Sequence, residues 1–491
     1  MTKINTKSFI SSYSNLSCDY LVIGSGAGGS VASLELTERG KDCILVEEGD
    51  FFEIDFFKGS FLKSITETWR NGGFTPIIGS PNFAFAEGKC LGGSTYINGG
   101  LIWRTPQNIL NFWNENYLDN FKSQDLNEHF IKIEKKLNVQ IENNDDGLNL
   151  DSKLIHDQAS KSNLTSVYVP RALKNCKRKN VCYTGCSSGA KQSVLQTYIS
   201  EATYKGLRIA LNSKVIKLNL KDKLFYSADL FNSKTKEKYK IKFKNIILAC
   251  GVTQTPVLIN RSLGRKMFNY DMQLHLNLRI SAIFKDKIYS EKGTIFTTQI
   301  QEFINDGDIF MSTNFNKSNF LSSISNYNNK KLLDILKYID NIGCYVLQVK
   351  PKSRVKVTNL FENQFLSFNL SEEDFEHIKK RVKFFANFLF SAGATSIILP
   401  IKRNLMVSSL KELNVAIDST KKKDLQMLSV HGMSSMPMNK NGKNFFNSQG
   451  KAVNFSNLHA VDASILPTNI GESPQGTIMA FSHEVLKRMK I

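Results

Sequence analysis

Long apolar runs are missing from this chain. Nowhere does it approach the roughly 18 consecutive apolar residues that a membrane-spanning helix needs, so no such span is expected. The opening stretch, Met1 to Asn15, is polar and lacks the apolar centre of a secretory signal. That sets the expectation of a cytoplasmic protein. Cysteine is scarce too: eight in 491 residues are too few and too scattered for a secreted disulfide scaffold. Internal repeats, low-complexity linkers and helix-turn-helix, zinc-finger or RNP-type signatures are all absent. Without them the formal charge of +20, from 64 basic and 44 acidic residues, does not indicate a nucleic-acid partner. The excess is mostly Lys spread along the chain. Lys238, Lys240, Lys242 and Lys244 alternate with Tyr239, Ile241 and Phe243, the pattern of a half-buried strand with a solvated lysine face.

What is present is enough apolar material for large cores. At 41% apolar and 22% charged residues, the length suggests two to four structural units. The first informative segment is an apolar strand, Tyr20-Leu21-Val22-Ile23, running into Gly24-Ser25-Gly26-Ala27-Gly28-Gly29. Ala32 to Arg39 then reads as a helix ending at Gly40, and Cys43 to Val46 as a second strand ending at Glu47. Each part of this G-x-G-x-x-G unit has a mechanical reason. Gly24 allows the tight turn, Gly26 lets backbone approach a pyrophosphate, and Gly29 lets helix and strand pack closely. The helix N-terminus turns unpaired N–H groups and a positive dipole end to the phosphates. Glu47, 23 residues after Gly24, is placed to accept from a ribose hydroxyl. No second fingerprint follows, so one dinucleotide is expected.

Further on, Leu126, Phe130, Ile133 and Leu137 mark an amphipathic helix. Val215–Leu220, Phe225–Leu230 and Tyr239–Cys250 read as strands. Cys344–Lys350, Arg354–Thr358 and Phe365–Asn369 read as an antiparallel meander. A long helix follows, capped by Ser371, lined by Phe375, Ile378, Val382, Phe385 and Leu389, and stopped at Gly393. Strands and helices segregate here, which suggests a second domain carrying a substrate platform.

Four segments, taken with the fingerprint, make the chain resemble the glucose–methanol–choline (GMC) family of flavin oxidoreductases. They are Gly88-Lys89-Cys90-Leu91-Gly92-Gly93-Ser94-Thr95-Tyr96-Ile97-Asn98, Gly251 to Gly264, His431-Gly432-Met433-Ser434-Ser435-Met436, and His459 to Thr468 with Ser473 to Thr477. The C-terminal wording and Gly185-Cys186-x-x-Gly189-Ala190-Lys191 look most like long-chain alcohol oxidases and their bacterial relatives. The resemblance implies an α/β fold: a Rossmann-like FAD-binding domain, discontinuous in sequence, with a substrate domain of antiparallel sheet plus helices. The FAD-binding parts would be 16–110, 192–265 and the catalytic 428–491; 111–191 would be a cap segment holding the cysteine cluster and 266–427 the substrate domain. It implies FAD as the dinucleotide, with Gly92, Gly93 and Ser94 against the pyrophosphate and Asn98 beside the flavin ring. Val215 would meet the adenine, Asp462 and Ala463 the ribityl–pyrophosphate region, and Gln475 and Thr477 the cofactor as well. Some relatives attach flavin through a His just before the Asn98 equivalent; Ile97 stands there, so FAD is expected to be non-covalent.

The implied reaction is alcohol oxidation, with hydride passing to flavin N5 and a base taking the hydroxyl proton. Of seven histidines, His431 alone sits in an active-site-like segment and is the expected base. His129, His377 and His483 read as solvated helix residues, and His459 as a packed strand residue. The family's second His or Asn is Ser473 here, a departure. Its hydroxyl still donates, and Ser-Pro is also a helix N-cap followed by N1. Substrate would be a small alcohol or sugar, with oxygen, a quinone or a cytochrome as acceptor. Two alternatives stay open: a sugar or polyol dehydrogenase feeding a cytochrome, and a weakly active flavin-binding protein.

Cys176, Cys182 and Cys186, spaced C-x5-C-x3-C, bring three soft donors close together. The spacing is similar to that of cytochrome-linked FAD-dependent glucose dehydrogenases, which implies a three-iron iron–sulfur cluster. Common clusters use four cysteines, and a disulfide plus one free thiol, or three reduced thiols, are the alternatives.

Overall fold

A computed structural model of the chain describes residues 4–119, 121–141, 149–264, 270–313, 320, 329–360, 363–402 and 406–489. Its first sheet has seven strands. At the centre, Leu16–Ile23 pairs in parallel with Cys43–Val46 on one side and with Lys238–Leu248 on the other. Arg208–Ala210 extends the first edge in parallel. The strand Lys238–Leu248 divides its far side between two neighbours. Its first residues pair antiparallel with Leu224–Asn232, and Ile246 to Leu248 pair in parallel with Leu458–Ala460. Ser213–Lys221 completes the antiparallel arm.

The lysine alternation is realised: Lys238, Lys240, Lys242 and Lys244 are exposed while Ile241 and Phe243 are buried. From Ile246 onward the strand is buried without alternation, as parallel strands covered on both faces are. Helix Ala27–Glu38 starts earlier than the expected Ala32, because the small residues after Gly26 already form its first turn. Helix Gln475–Arg488, buried along most of its length, packs against it.

The second sheet has fourteen strands, most of them antiparallel. Leu276–Phe284 lies at its centre, between Ile342–Val349 and Ala394–Ile398. Chain from distant regions joins it, including Thr75–Ser80, Phe83–Phe85, Ser166–Tyr168 and Gly432–Met433. The expected three-strand meander forms only in part. Val355–Leu360 and Asn363–Asn369 make a hairpin, but Ile342–Val349 pairs with Leu276–Phe284 and Ile309–Ser312 instead. The link between them is held elsewhere: Lys352 and Ser353 donate their N–H groups to the Asp374 carboxylate at 2.9 and 2.8 Å. Asp374 lies in the first turn of helix Glu372–Ser391, which Ser371 caps by accepting the Asp374 N–H at 3.0 Å. Phe375, Ile378, Val382, Phe385 and Leu389 form its buried stripe. The expected boundary at 265/266 lies outside the described residues. Among the described residues, no helix is long and apolar enough to cross a membrane.

Candidate active site

A cleft opens where the central parallel strands end, the usual ligand position in such sheets. Gly24, Gly26, Glu47, Gly93, Ser94 and Val215, from four separate stretches, line it. Glu47 is buried, and burial pushes its carboxyl above the usual range. Its Oε2 accepts from the Ser25 N–H at 3.1 Å and the Ser25 hydroxyl at 2.5 Å, and its Oε1 from the Gly49 N–H at 2.8 Å. A carboxylate offers about four acceptor positions, so one remains on Oε1. The Ser25 hydroxyl also accepts the Gly92 N–H at 2.9 Å, tying the fingerprint to the Gly92-Gly93 turn.

The same cleft holds residues that no sequence spacing singled out. Arg70 bridges Glu48 at 3.0 Å and Glu87 at 2.8 Å, and Thr253 donates to Glu87 at 2.8 Å. The two carboxylates hold the Arg70 guanidinium further above its ordinary value. Nothing in a chain with this many scattered charges marks that triad in advance.

The remaining expected cofactor residues sit behind or beyond the cleft lining. Gly29 is packed inside its helix, where an added Cβ would meet the Gly24 carbonyl oxygen at 1.9 Å. Asn98 donates to the Gln475 side-chain oxygen at 2.7 Å, and Thr477 shares a 3.0 Å hydrogen bond with Thr105. Asp462 is buried and accepts from the Gly251 N–H at 3.0 Å, the Thr255 hydroxyl at 2.5 Å and the Ser464 N–H at 2.8 Å. The Ala463 carbonyl accepts the Ser434 N–H at 2.9 Å, which fastens this segment to the His431 stretch.

His431 lies beside the strand Tyr270–Leu274, whose pairing with Gly432–Met433 brings His275 against it. The His275 N–H donates to the His431 carbonyl at 3.1 Å, and the two Nδ1 atoms are also 3.1 Å apart. Gln348 Oε1 stands 3.2 Å from His431 Nδ1, and Ser473 Oγ 3.4 Å from His431 Nε2. Burial brings the His431 imidazole down to about 4, so it is neutral at neutral pH. Ser473 does not cap the helix that follows. Pro474 occupies the cap position of Gln475–Arg488 and no side chain caps that helix. Around this centre His275 sits at the break between the strands Tyr270–Leu274 and Leu276–Phe284, Gln348 in a strand and Asn469 in a loop; a lone His between strands carries no signal of such a role. His483 is a further correction: it is buried, with Nδ1 2.8 Å from the Glu35 carboxylate, because its helix is enclosed on several sides.

Residues 18–276 and 363–482 match the GMC oxidoreductase family. The chain belongs to that family. It is 26% identical to an uncharacterized GMC-type oxidoreductase of Sinorhizobium fredii, over 96% of this chain and 94% of the other. It is 24% identical to a long-chain-alcohol oxidase of Arabidopsis thaliana, over 97% of this chain and 70% of the other. Among solved structures it resembles pyridoxine 4-oxidase from Mesorbium loti, at a TM-score of 0.71 and 12% identity, covering 96% and 99% of the two chains. Formate oxidase of Aspergillus oryzae gives a TM-score of 0.73 at 12% identity, covering 97% and 98%.

Membership of the GMC oxidoreductases implies FAD, and the residues present fit that group. A Cβ added at Gly26 would meet nothing within 4 Å, so the backbone there faces open space that a phosphate can fill. Glu47 keeps an acceptor position at the same cleft, and Gly93 packs against Gly26.

The iron–sulfur expectation finds no support in the structure. Among the described residues, no three His, Cys, Asp or Glu side chains are grouped to hold a metal ion. The fully buried Lys191 lies against this region. Its ammonium donates to the carbonyls of Tyr96, Asn98 and Cys182 at 2.7, 2.8 and 2.9 Å. Cys186 Sγ accepts the Lys191 N–H at 3.5 Å. A lysine in that place supplies positive charge and donors, and it ties the Asn98 backbone to the cysteine loop.

Proposed function

We propose that this GMC oxidoreductase oxidises a small-molecule alcohol, with His431 as the base. One observation carries the reading: a neutral imidazole with Nε2 turned toward a hydroxyl-bearing side chain, Ser473, 3.4 Å away. His431 Nε2 takes the proton of the substrate hydroxyl, and Ser473 Oγ holds the substrate oxygen beside it. When bound, FAD supplies the two-electron acceptance that alcohol oxidation requires. Gly24, Gly26, Gly29, Glu47, Gly92, Gly93, Ser94 and Val215 would hold its dinucleotide portion. Asn98, Asp462, Ala463, Gln475 and Thr477 would hold the portion nearer His431. Ile97 is buried and apolar and offers no nucleophile for covalent attachment, so the cofactor is held non-covalently. The name of the long-chain-alcohol oxidase relative supports an alcohol as the substrate class.

Anaerobic mixing of the FAD-loaded protein with a panel of alcohols tests this. Bleaching of the flavin by an alcohol, slowed about 10²–10⁴-fold in His431→Ala as for loss of a general base, is the expected result. A variant that is reduced at the original rate removes His431 from the mechanism. Acid precipitation should leave the yellow colour in solution; colour retained in the pellet contradicts non-covalent binding.

A further inference from the structure

We propose that His275, Asn469 and Gln348 set the ring tautomer of His431, placing its single proton on Nδ1 and leaving Nε2 bare. The inference rests on His431 being the base, and it makes the three residues positioning residues.

Gly471 has a φ of +79°, and a Cβ added there would lie only 2.8 Å from Gly307 Cα, so the position is restricted to glycine. Its N–H donates to Asn469 Oδ1 at 2.9 Å, while Asn469 Nδ2 donates to the Leu274 carbonyl at 2.7 Å. Two backbone partners of opposite kind therefore orient the Asn469 amide. His275 Nε2 lies 2.5 Å from that Oδ1, an atom with no proton to give. The proton in this contact belongs to His275 Nε2. A neutral imidazole has one ring proton, and full burial keeps His275 neutral, well below its ordinary value. His275 Nδ1 is then an acceptor, and at 3.1 Å it receives the proton of His431 Nδ1.

Gln348 leads to the same assignment independently. Its Nε2 donates to the Gly471 carbonyl at 3.0 Å, which turns Oε1 toward His431 Nδ1 at 3.2 Å. Two acceptors thus face Nδ1. The opposite tautomer would set two nitrogen lone pairs against each other and leave Gln348 Oε1 without that proton. Gly471 anchors both arms, through its N–H and its carbonyl.

Nitrogen-15 NMR of the FAD-loaded protein, labelled at histidine, reads the ring tautomer directly, with His431→Asn assigning the signal. The expected wild-type spectrum shows a neutral His431 protonated on Nδ1; protonation on Nε2 overturns the proposal with no variant needed. His275→Phe removes the acceptor, so the signal should move toward a tautomer mixture. Partners that orient a metal-binding imidazole typically contribute about 10–100-fold; with the same orienting role here, flavin reduction should slow by about that factor with KM little changed. His275→Asn puts a carbonyl oxygen near the place of Nδ1 and should restore both readouts. A His431 spectrum unchanged when His275→Phe is combined with Gln348→Leu overturns the proposal, as does a slow His275→Asn with a wild-type spectrum. Full activity in His431→Ala instead removes the base reading while the tautomer assignment keeps its own spectroscopic test.

Discussion

Ser473 Oγ lies 3.4 Å from Nε2 of His431, across 42 positions of sequence. The serine's hydroxyl is thereby committed to the centre, since the helix after it starts from Pro474 without a side-chain cap.

Ser473→Ala is expected to slow flavin reduction while barely touching stability. Loss of a working N-cap costs about 1 kcal/mol, and none is lost here. A thermal unfolding shift of that size, with an unchanged reduction rate, would show that the hydroxyl serves the helix. Ser473→Asn, which extends the side chain with an amide, should keep or raise activity.

Arg70 joins the carboxylates of Glu48 and Glu87 at the cleft wall. Arg70→Met leaves two half-buried acids without their partner, a change expected between the roughly 0–1 kcal/mol of exposed pairs and the about 3–5 kcal/mol of fully buried ones. Chemical denaturation should register a loss of that order, and FAD should bind more weakly. Stability within 1 kcal/mol of the parent, at about the level of an exposed pair, contradicts the assignment.

Acid should destabilise the protein well above the pH at which ordinary exposed carboxylates titrate. Burial lowers His431 and His459 to about 4, and His275 well below its ordinary 6.5. Between pH 6.5 and about 4 the unfolded chain takes up protons that the native state refuses, so stability falls as pH falls. Each such histidine contributes a slope of about 1.4 kcal/mol per pH unit. Glu472 acts in the opposite sense. Burial raises it to about 8, so its contribution is full below 4.5 and is lost as pH rises through 8. Urea unfolding from pH 4 to 8 should show the acid limb, and Glu472→Gln should steepen it. A flat profile from pH 6.5 to 5 contradicts the burial of these rings.

Thiol reactivity should separate the three clustered cysteines. Hydrogen bonds from Ser188 and Lys191 lower the Cys186 thiol below its ordinary value, whereas burial pushes Cys182 up to about 12. Alkylation followed by peptide mapping should label Cys186 long before Cys182. Anaerobically purified protein should contain far less than one iron per chain; stoichiometric iron and sulfide would restore the cluster.

Most of the fold was legible because its signals are local. The strand, glycine turn, helix and Glu47 follow each other within thirty residues, and each depends on backbone conformation or periodicity that neighbours decide. The alternation of lysine with Ile241 and Phe243 described its strand correctly for the same reason, and so did the Ser371 cap with its apolar stripe. Strand neighbours were not legible. Ile342–Val349 carries no mark saying that it pairs with Leu276–Phe284, since pairing is chosen by the whole sheet.

The sequence by itself determined the family and the strand–glycine–helix turn, and it singled out His431 as the proposed base, since those rest on motifs read in one place. Only the tertiary structure decided what surrounds that histidine. His275, Gln348 and Asn469 are bland where they stand in the chain, and they acquire meaning from hydrogen bonds of 2.5–3.2 Å between segments far apart in sequence. The cysteines are the converse case. Their spacing suggested a metal, whereas the fold sets the buried Lys191 beside them, held by the carbonyls of Tyr96, Asn98 and Cys182. A hydrogen bond depends on direction and distance within a few tenths of an ångström, and spacing along a chain contains neither.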